Sequence, residues 1–129
     1  MISGPPTALA GKRVLAVEDE GLVAMWLEDL LTDLGCVVVG PANSIEVAFE
    51  LLERDSIQLA VLDINIAGEK VFPVAERLAA RNVPFVFATG YGASGVVEPF
   101  AQRPVVQKPY TLEVLKRALE SVISPPLSN

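Results

Sequence analysis

Short apolar runs alternate along the chain with segments of helical periodicity, and this alternation limits the possible folds. Five runs rich in valine, leucine or phenylalanine have the length and borders of buried strands: residues 13–17, 36–40, 59–63, 84–89 and 104–108. Strands that alternate with helices pair in parallel and carry helices on both faces of the sheet. Because crossovers are right-handed, we predict an α/β, doubly wound, five-stranded parallel sheet of order 2-1-3-4-5.

The first helical segment follows the first strand. We predict a helix over residues 20–34, with Asp19 as its N-cap and Gly35 at its end. Its periodicity places seven apolar residues on one face, which we expect to pack on the sheet: Leu22, Val23, Trp26, Leu27, Leu30, Leu31 and Leu34.

Three further helices are predicted by their start signals and periodicity. Ser44 precedes a helix that ends near Arg54, Pro73 fits the first turn of a helix over 71–81, and Thr111 opens a helix over 112–122. Residues 90–103, between the fourth and fifth strands, contain three glycines and Pro99. These residues weaken helices, so we expect a short or disordered fourth helix there.

The composition predicts one domain without an internal disulfide. The chain has 129 residues, a net charge of −6, a single cysteine and no histidine. The acidic balance argues against nucleic acid or an anionic membrane as a direct partner, since both require clustered Lys and Arg. No apolar run is long enough to span a bilayer, and the first residues lack the pattern of a signal peptide. We therefore expect a cytoplasmic domain over residues 12–123, with disordered tails over 1–11 and 124–129.

Polar side chains stand at the C-terminal ends of four predicted strands, where ligands bind in sheets of this type. They are Glu18, Asp19 and Glu20 after the first strand, Asp63, Thr89 and Lys108. Each alone suits a helix start, a turn or a solvated surface. Together they predict a single crevice that contains carboxylates, a hydroxyl and an ammonium group.

Carboxylates held close together repel unless a cation lies between them. Without histidine or paired cysteines, the expected cation is a hard one, and Mg²⁺ suits carboxylates, a backbone carbonyl and water. An aspartate beside Mg²⁺ and a lysine is suited to accept a phosphoryl group, because both cations balance charge on the transferring oxygens.

The segments VLAVEDE, LAVLDINI, FATGYG and VVQKPY, in this order, resemble the receiver domain of two-component response regulators over about residues 12–123. The resemblance implies a flavodoxin-like, CheY-like fold and a signalling protein rather than an enzyme. It implies that a sensor histidine kinase phosphorylates Asp63. It further implies Mg²⁺ held by Glu18, Asp19, Asp63 and the backbone carbonyl of Asn65.

The resemblance also assigns switch residues. Thr89 would be the switch hydroxyl, Lys108 would contact the phosphoryl group, and the bond before Pro109 would be cis. Val105 stands where receivers usually carry a switch aromatic. Gly90 would allow the following loop to move. Two tyrosines are candidates for the switch and output surface: Tyr91 and Tyr110.

The segments PFVFATGYG and KPY resemble the FAT GUY subgroup of receivers. Members of this subgroup look like stand-alone receivers that accept phosphate from kinases of the HWE or HisKA2 type. The output would then be contact with an unidentified protein, or a phosphate sink, with the chain a monomer or weak dimer.

Three alternatives are weighed against this interpretation. GYGASG matches the dinucleotide-binding pattern G-x-G-x-x-G, but it follows the fourth strand instead of the first. An Mg²⁺-dependent phosphatase with an aspartate nucleophile needs D-x-D, whereas Asn65 stands two residues after Asp63. The third alternative is a receiver fold that serves as an unphosphorylated docking module.

Overall fold

A five-stranded parallel sheet forms the centre of the protein in the computed structural model, which describes residues 8–90, 100 and 103–123. Its strands are β1 (Arg13–Val17), β2 (Val37–Ala42), β3 (Leu59–Asp63), β6 (Phe85–Thr89) and β7 (Val105–Gln107). They lie in the order β2-β1-β3-β6-β7, which confirms the predicted topology. A small antiparallel pair, β4 (Asn65–Ile66) and β5 (Glu69–Lys70), follows β3 and was not predicted.

Helices cover both faces of the sheet. They are α1 (Gly21–Asp33), α2 (Ile45–Arg54), α3 (Phe72–Ala80) and α4 (Leu112–Ile123). Alternate strand residues divide the core, because successive side chains of a strand point to opposite faces. Leu15 and Leu62 pack on the side of α2 and α3, whereas Val14 and Val61 pack on the side of α1 and α4. Every residue of β3 and β6 is buried, as expected for central strands covered on both faces.

Three residues at helix ends have the structural roles that the sequence predicts. The Ser44 hydroxyl accepts a hydrogen bond from the Val47 amide at 3.1 Å, and the Thr111 hydroxyl accepts one from the Val114 amide at 3.2 Å. Gly35, just after α1, has a φ of 86°, a conformation that glycine adopts without steric cost.

The second strand and the start of α1 differ from the prediction. β2 covers Val37–Ala42 instead of 36–40, passing through a cis Gly40–Pro41 bond. A proline is tolerated there because β2 is an edge strand. The N-cap of α1 is Glu20, without a side-chain cap, instead of Asp19. The Asp19 carboxylate accepts a hydrogen bond from the Ala67 amide at 2.8 Å instead.

The predicted apolar face of α1 is only partly buried. Leu27, Leu30 and Leu31 lie in the core, whereas Leu22 is 83% exposed and Trp26 is 47% exposed. The prediction was wrong for these two residues because the first turns of α1 border a cleft at the strand ends.

Some predictions fall on residues that the structure does not describe. They concern the fourth helix between β6 and β7, Tyr91, and the tails over 1–7 and 124–129. Residues 8–11 form a turn, in which Leu9 is buried and the Gly11 amide donates to the Gly35 carbonyl at 2.8 Å. Within the described ranges, no helix has the length and apolarity to cross a bilayer.

Candidate functional site

Three carboxylates meet at the C-terminal ends of β1 and β3. These strands are parallel neighbours, so the residues that follow them lie side by side. Glu18 and Asp63 are buried, Asp19 is exposed, and each offers an oxygen within 4.8 Å of the others. The structure therefore brings together the acidic residues that the sequence placed in one crevice.

Lys108 joins the carboxylates from the end of β7. Its Nζ lies 3.0 Å from Asp63 Oδ2, 3.1 Å from Glu18 Oε1 and 3.5 Å from Glu20 Oε1. Burial alone would lower the pKa of Lys108, but the hydrogen bonds to Asp63 and Glu18 and the charges of both carboxylates raise it overall. The ammonium group therefore stays charged between them. The Lys108 amide donates to the Thr89 carbonyl at 2.9 Å, and the Lys108–Pro109 bond is cis, as the resemblance implied.

Glu18 shows that the site holds more negative charge than Lys108 balances. Burial, and then the charge of Asp63, raise the pKa of Glu18 from 4.5 to about 7. Hydrogen bonds from Lys108 and from the Glu20 amide oppose this shift without cancelling it. A site of this kind favours an additional cation.

The oxygen donors fit Mg²⁺. Carboxylates are the protein ligands that this hard cation prefers, and it usually binds through one or two of them together with water. Glu18, Asp19 and Asp63 offer carboxylate oxygens, and Asn65 borders the same cleft. The donor set therefore agrees with the predicted cofactor.

The β4–β5 hairpin holds the loop after Asp63 against Asp19. Its turn residues, Ala67 and Gly68, both have positive φ, at 51° and 84°. The Asn65 amide donates to Asp63 Oδ1 at 3.4 Å, and Lys70 Nζ donates to Asn65 Oδ1 at 2.8 Å. The sequence signal is the two-residue turn with glycine in NIAGEK, which is typical of a hairpin but is bordered by very short strands.

Thr89 and Gly90 complete the polar part of the site. Thr89 ends β6, is buried, and follows Ala88, the partner of Asp63 in the sheet. Asp63, Thr89, Gly90 and Lys108 line one cleft with a volume of about 760 Å³. Val105 is half-buried in β7 beside Phe87 and packs against the core on the α2 and α3 side.

The same cleft has an apolar wall, of which the sequence analysis singled out only Pro109 and Tyr110. Its members come from α1 and from the segment after Lys108: Leu22, Val23, Trp26, Pro109 and Tyr110. Trp26 Nε1 donates to the Tyr110 carbonyl oxygen at 3.0 Å, which joins the two segments. The available sequence signal was the position of Trp26, about two helical turns after Glu20. Helical periodicity assigned this tryptophan to the core instead.

Tyr110 is the buried member of this wall. Its hydroxyl has no hydrogen-bond partner among the described residues. Burial, and then the negative charges of Glu18 and Asp63, raise the pKa of Tyr110. The phenol therefore stays protonated beside the acidic cluster.

The fold and the site together define a class of protein. A doubly wound sheet with an acidic cluster, a threonine and a lysine at its strand ends is the arrangement of a receiver. The response regulator receiver domain family matches residues 14–120, and the chain belongs to this family of CheY-like, two-component signalling proteins.

Three named receiver proteins show how similar this chain is to its relatives. The solution structure of SdrG from Sphingomonas melonis Fr1 is 43% identical, with a TM-score of 0.78 over 89% of this chain and 98% of that chain. The response regulator PhyR from Brucella abortus is 27% identical, with a TM-score of 0.76 over 89% of this chain and 49% of that chain. The transcriptional regulatory protein PdtaR of Mycobacterium tuberculosis is 28% identical over 95% of this chain. The chain spans only 63% of the length of PdtaR.

Proposed function

We propose that Asp63 accepts a phosphoryl group from the phosphohistidine of a sensor histidine kinase. The observation that carries this proposal is the contact of 3.0 Å between Lys108 Nζ and Asp63 Oδ2, at the wall of an open cleft. A partly buried ammonium group beside a carboxylate nucleophile can follow the negative charge as it moves onto the transferring oxygens. Mg²⁺, held by Glu18, Asp19, Asp63 and the Asn65 carbonyl, would supply further positive charge when bound.

The transfer forms a bond between an Asp63 oxygen and phosphorus while the bond between phosphorus and the donor nitrogen breaks. Lys108 would then donate to a phosphoryl oxygen, and the Thr89 hydroxyl would donate to another. The added charge would draw both side chains inward and shift a two-state equilibrium. A shift from mostly off to mostly on needs about 5 kcal/mol of differential interaction.

The proposal also covers the kinase that supplies the phosphoryl group and the output of the phosphorylated protein. The segment FATGYG favours the FAT GUY subgroup of receivers and a donor kinase of the HWE or HisKA2 type. The output is contact with a partner protein or a phosphate sink in the cytoplasm, from a monomer or weak dimer. The sequence replaces the usual switch aromatic with Val105, so signal transmission differs from that of most receivers.

Radiolabelled phosphotransfer from a phosphorylated kinase tests the proposal. We expect label on the wild type and on Asp33→Asn, an exposed aspartate at the end of α1, but none on Asp63→Asn. Chelation of Mg²⁺ should abolish the labelling of the wild type and of Asp33→Asn. Equal labelling of wild type and Asp63→Asn would refute the assignment.

The remaining alternatives give different results with the same protein. A phosphatase with an aspartate nucleophile would turn over small phosphoesters, whereas a receiver releases its phosphate slowly and once. An unphosphorylated docking module would show no Mg²⁺-dependent binding of BeF₃⁻ at Asp63.

A further inference from the structure

We propose that Lys70 is a positioning residue for the metal site, on which it acts through Asn65 and the β4–β5 hairpin. The inference rests on the proposed function, in which the Asn65 carbonyl and the carboxylates of Asp19 and Asp63 take part in holding Mg²⁺. Among the described residues, Asn65 lines the cleft, whereas the exposed Lys70 does not. The contact between the two side chains is therefore the route from Lys70 to the site.

The hairpin is too short to keep its shape unaided. Each of its strands has two residues, Asn65–Ile66 and Glu69–Lys70, and an isolated hairpin is at best marginally stable in water. Both turn residues, Ala67 and Gly68, have positive φ, which alanine adopts only at a steric cost. Contacts outside the turn must therefore stabilise this conformation.

Hydrogen bonds hold the hairpin at its base and at its tip. At the base, Asn65 and Lys70 are cross-strand partners, and Lys70 Nζ donates to Asn65 Oδ1 at 2.8 Å. At the tip, the Ala67 amide donates to Asp19 Oδ2 at 2.8 Å. Ile66 packs in the core, but successive side chains of a strand point to opposite faces, so this packing does not orient Asn65. Lys70 supplies that orientation.

The backbone of the hairpin donates to two carboxylates of the acidic cluster. The Asn65 amide donates to Asp63 Oδ1 at 3.4 Å, and the Ala67 amide donates to Asp19. The carboxylates lie within 4.8 Å of one another, so they repel in the metal-free protein. The hairpin amides oppose this repulsion and hold the ligands together before the ion binds. Because Mg²⁺ demands near-ideal geometry from its ligands, such preorganisation favours its affinity.

Charge and positioning predict opposite effects when Lys70 is replaced. An ammonium group near an acidic site repels Mg²⁺, so removal of its charge alone would leave Mg²⁺ binding unchanged or tighter. Loss of the bond to Asn65 would loosen the hairpin and weaken Mg²⁺ binding. The sign of the change in affinity therefore separates the two effects.

Titration of Mg²⁺ into the unphosphorylated, ¹⁵N-labelled protein, followed by NMR, measures the dissociation constant without a kinase. Loss of one hydrogen bond should weaken Mg²⁺ binding about threefold to fivefold in Lys70→Met. Lys70→Arg keeps a charged donor and should keep most of the affinity. Asn65→Ala, which retains the backbone carbonyl, should match Lys70→Met. The double variant should be no weaker than either single variant, because both remove the same bond.

Lys12→Met is the matched control, because it removes the same charge just before β1, at the end of the strand opposite the site. It should keep the wild-type dissociation constant. A second readout needs no metal. In the metal-free protein, the Ala67 amide should exchange with solvent about threefold to fivefold faster in Lys70→Met, since the hairpin opens more often.

An unchanged or tighter dissociation constant in Lys70→Met would overturn the positioning role and leave phosphorylation of Asp63 intact. An equal loss of affinity in Lys12→Met would also overturn it, since it would indicate a general effect of net charge. Additive losses in the double variant would do the same, because Lys70 and Asn65 would then act separately. Failure of the wild type to bind Mg²⁺ would overturn the metal site of the proposed function together with the positioning role.

Discussion

Lys108 is the residue on which the geometry of the site depends. One ammonium group lies within 3.1 Å of oxygens from two buried carboxylates, Glu18 and Asp63. Burial, and then the charge of Asp63, raise the pKa of Glu18, and the single ammonium group does not cancel this shift. Burial of two neighbouring carboxylates is the physical reason that this site favours a metal ion or a protonated carboxyl group.

The pH dependence of the free energy of unfolding should report the raised pKa of Glu18. The pKa of Glu18 is 4.5 in the unfolded chain and about 7 in the folded protein, so between these values the folded state retains a proton that the unfolded state releases. The contribution is fully present below 4.5 and is lost as the pH rises to about 7. In metal-free buffer, Glu18→Gln should flatten this decline in the free energy of unfolding, measured with urea.

Glu28→Gln removes a carboxylate from the exposed surface of α1 and should keep the wild-type decline. A parallel decline in Glu18→Gln and wild type would contradict the role of Glu18.

At the scale of elements, α1 has two functions along its length. Its later turns bury Leu27, Leu30 and Leu31 against the sheet, and its first turns present Leu22 and Trp26 to the cleft. The helix is therefore apolar over more of its surface than the core requires. This excess explains why periodicity overestimated its buried face.

Two leucines of α1 should differ sharply in their effect on stability. Leu27 is 1% exposed, and Leu27→Ala should cost about 3 kcal/mol because it leaves a cavity. Leu22→Ala should change the free energy of unfolding by less than about 0.5 kcal/mol. Urea unfolding followed by circular dichroism measures both. Similar losses in the two variants would show that the first turn of α1 is packed.

At the scale of the whole molecule, the sheet places its most protected strands beneath the site. β3 and β6 are buried along their full length and have neighbours on both sides, whereas β2 and β7 are edges of the sheet. Asp63 and Thr89 end the two protected strands, so the reacting groups stand on a rigid base. Rigid support preserves the geometry that phosphoryl transfer requires.

Native-state hydrogen exchange should be slower in the central strands β3 and β6 than in the edge strands. Amides of β3 and β6, such as Val61 and Phe87, should exchange only through global unfolding, because local opening would expose the core on both faces. Amides of the edge strand β2 should exchange faster. NMR-detected exchange at low denaturant measures both, and equal protection of β2 and β3 would contradict the prediction.

The sequence by itself determined the alternation of strands and helices, and hence the parallel sheet and its order. It also determined which residues stand at the strand ends, because in a parallel sheet all of those ends lie at one edge. Asp63, Thr89 and Lys108 could therefore be placed near one another without coordinates. The helix N-caps at Ser44 and Thr111 could also be predicted from the sequence, since each depends on a few adjacent residues.

Only the tertiary structure decided which groups Asp19 and Trp26 contact. Asp19 binds the Ala67 amide, 48 residues away, and Trp26 binds the Tyr110 carbonyl, 84 residues away. Helical periodicity and cap signals describe neighbours along one element, so they predicted Trp26 on the core face of α1 and Asp19 as its N-cap. The position of Asp19 at a strand end predicted its place in the crevice but not its bond to Ala67. Their true partners lie on other segments, which meet them only when the sheet closes the cleft. Long-range contacts of this kind leave no local pattern in the chain.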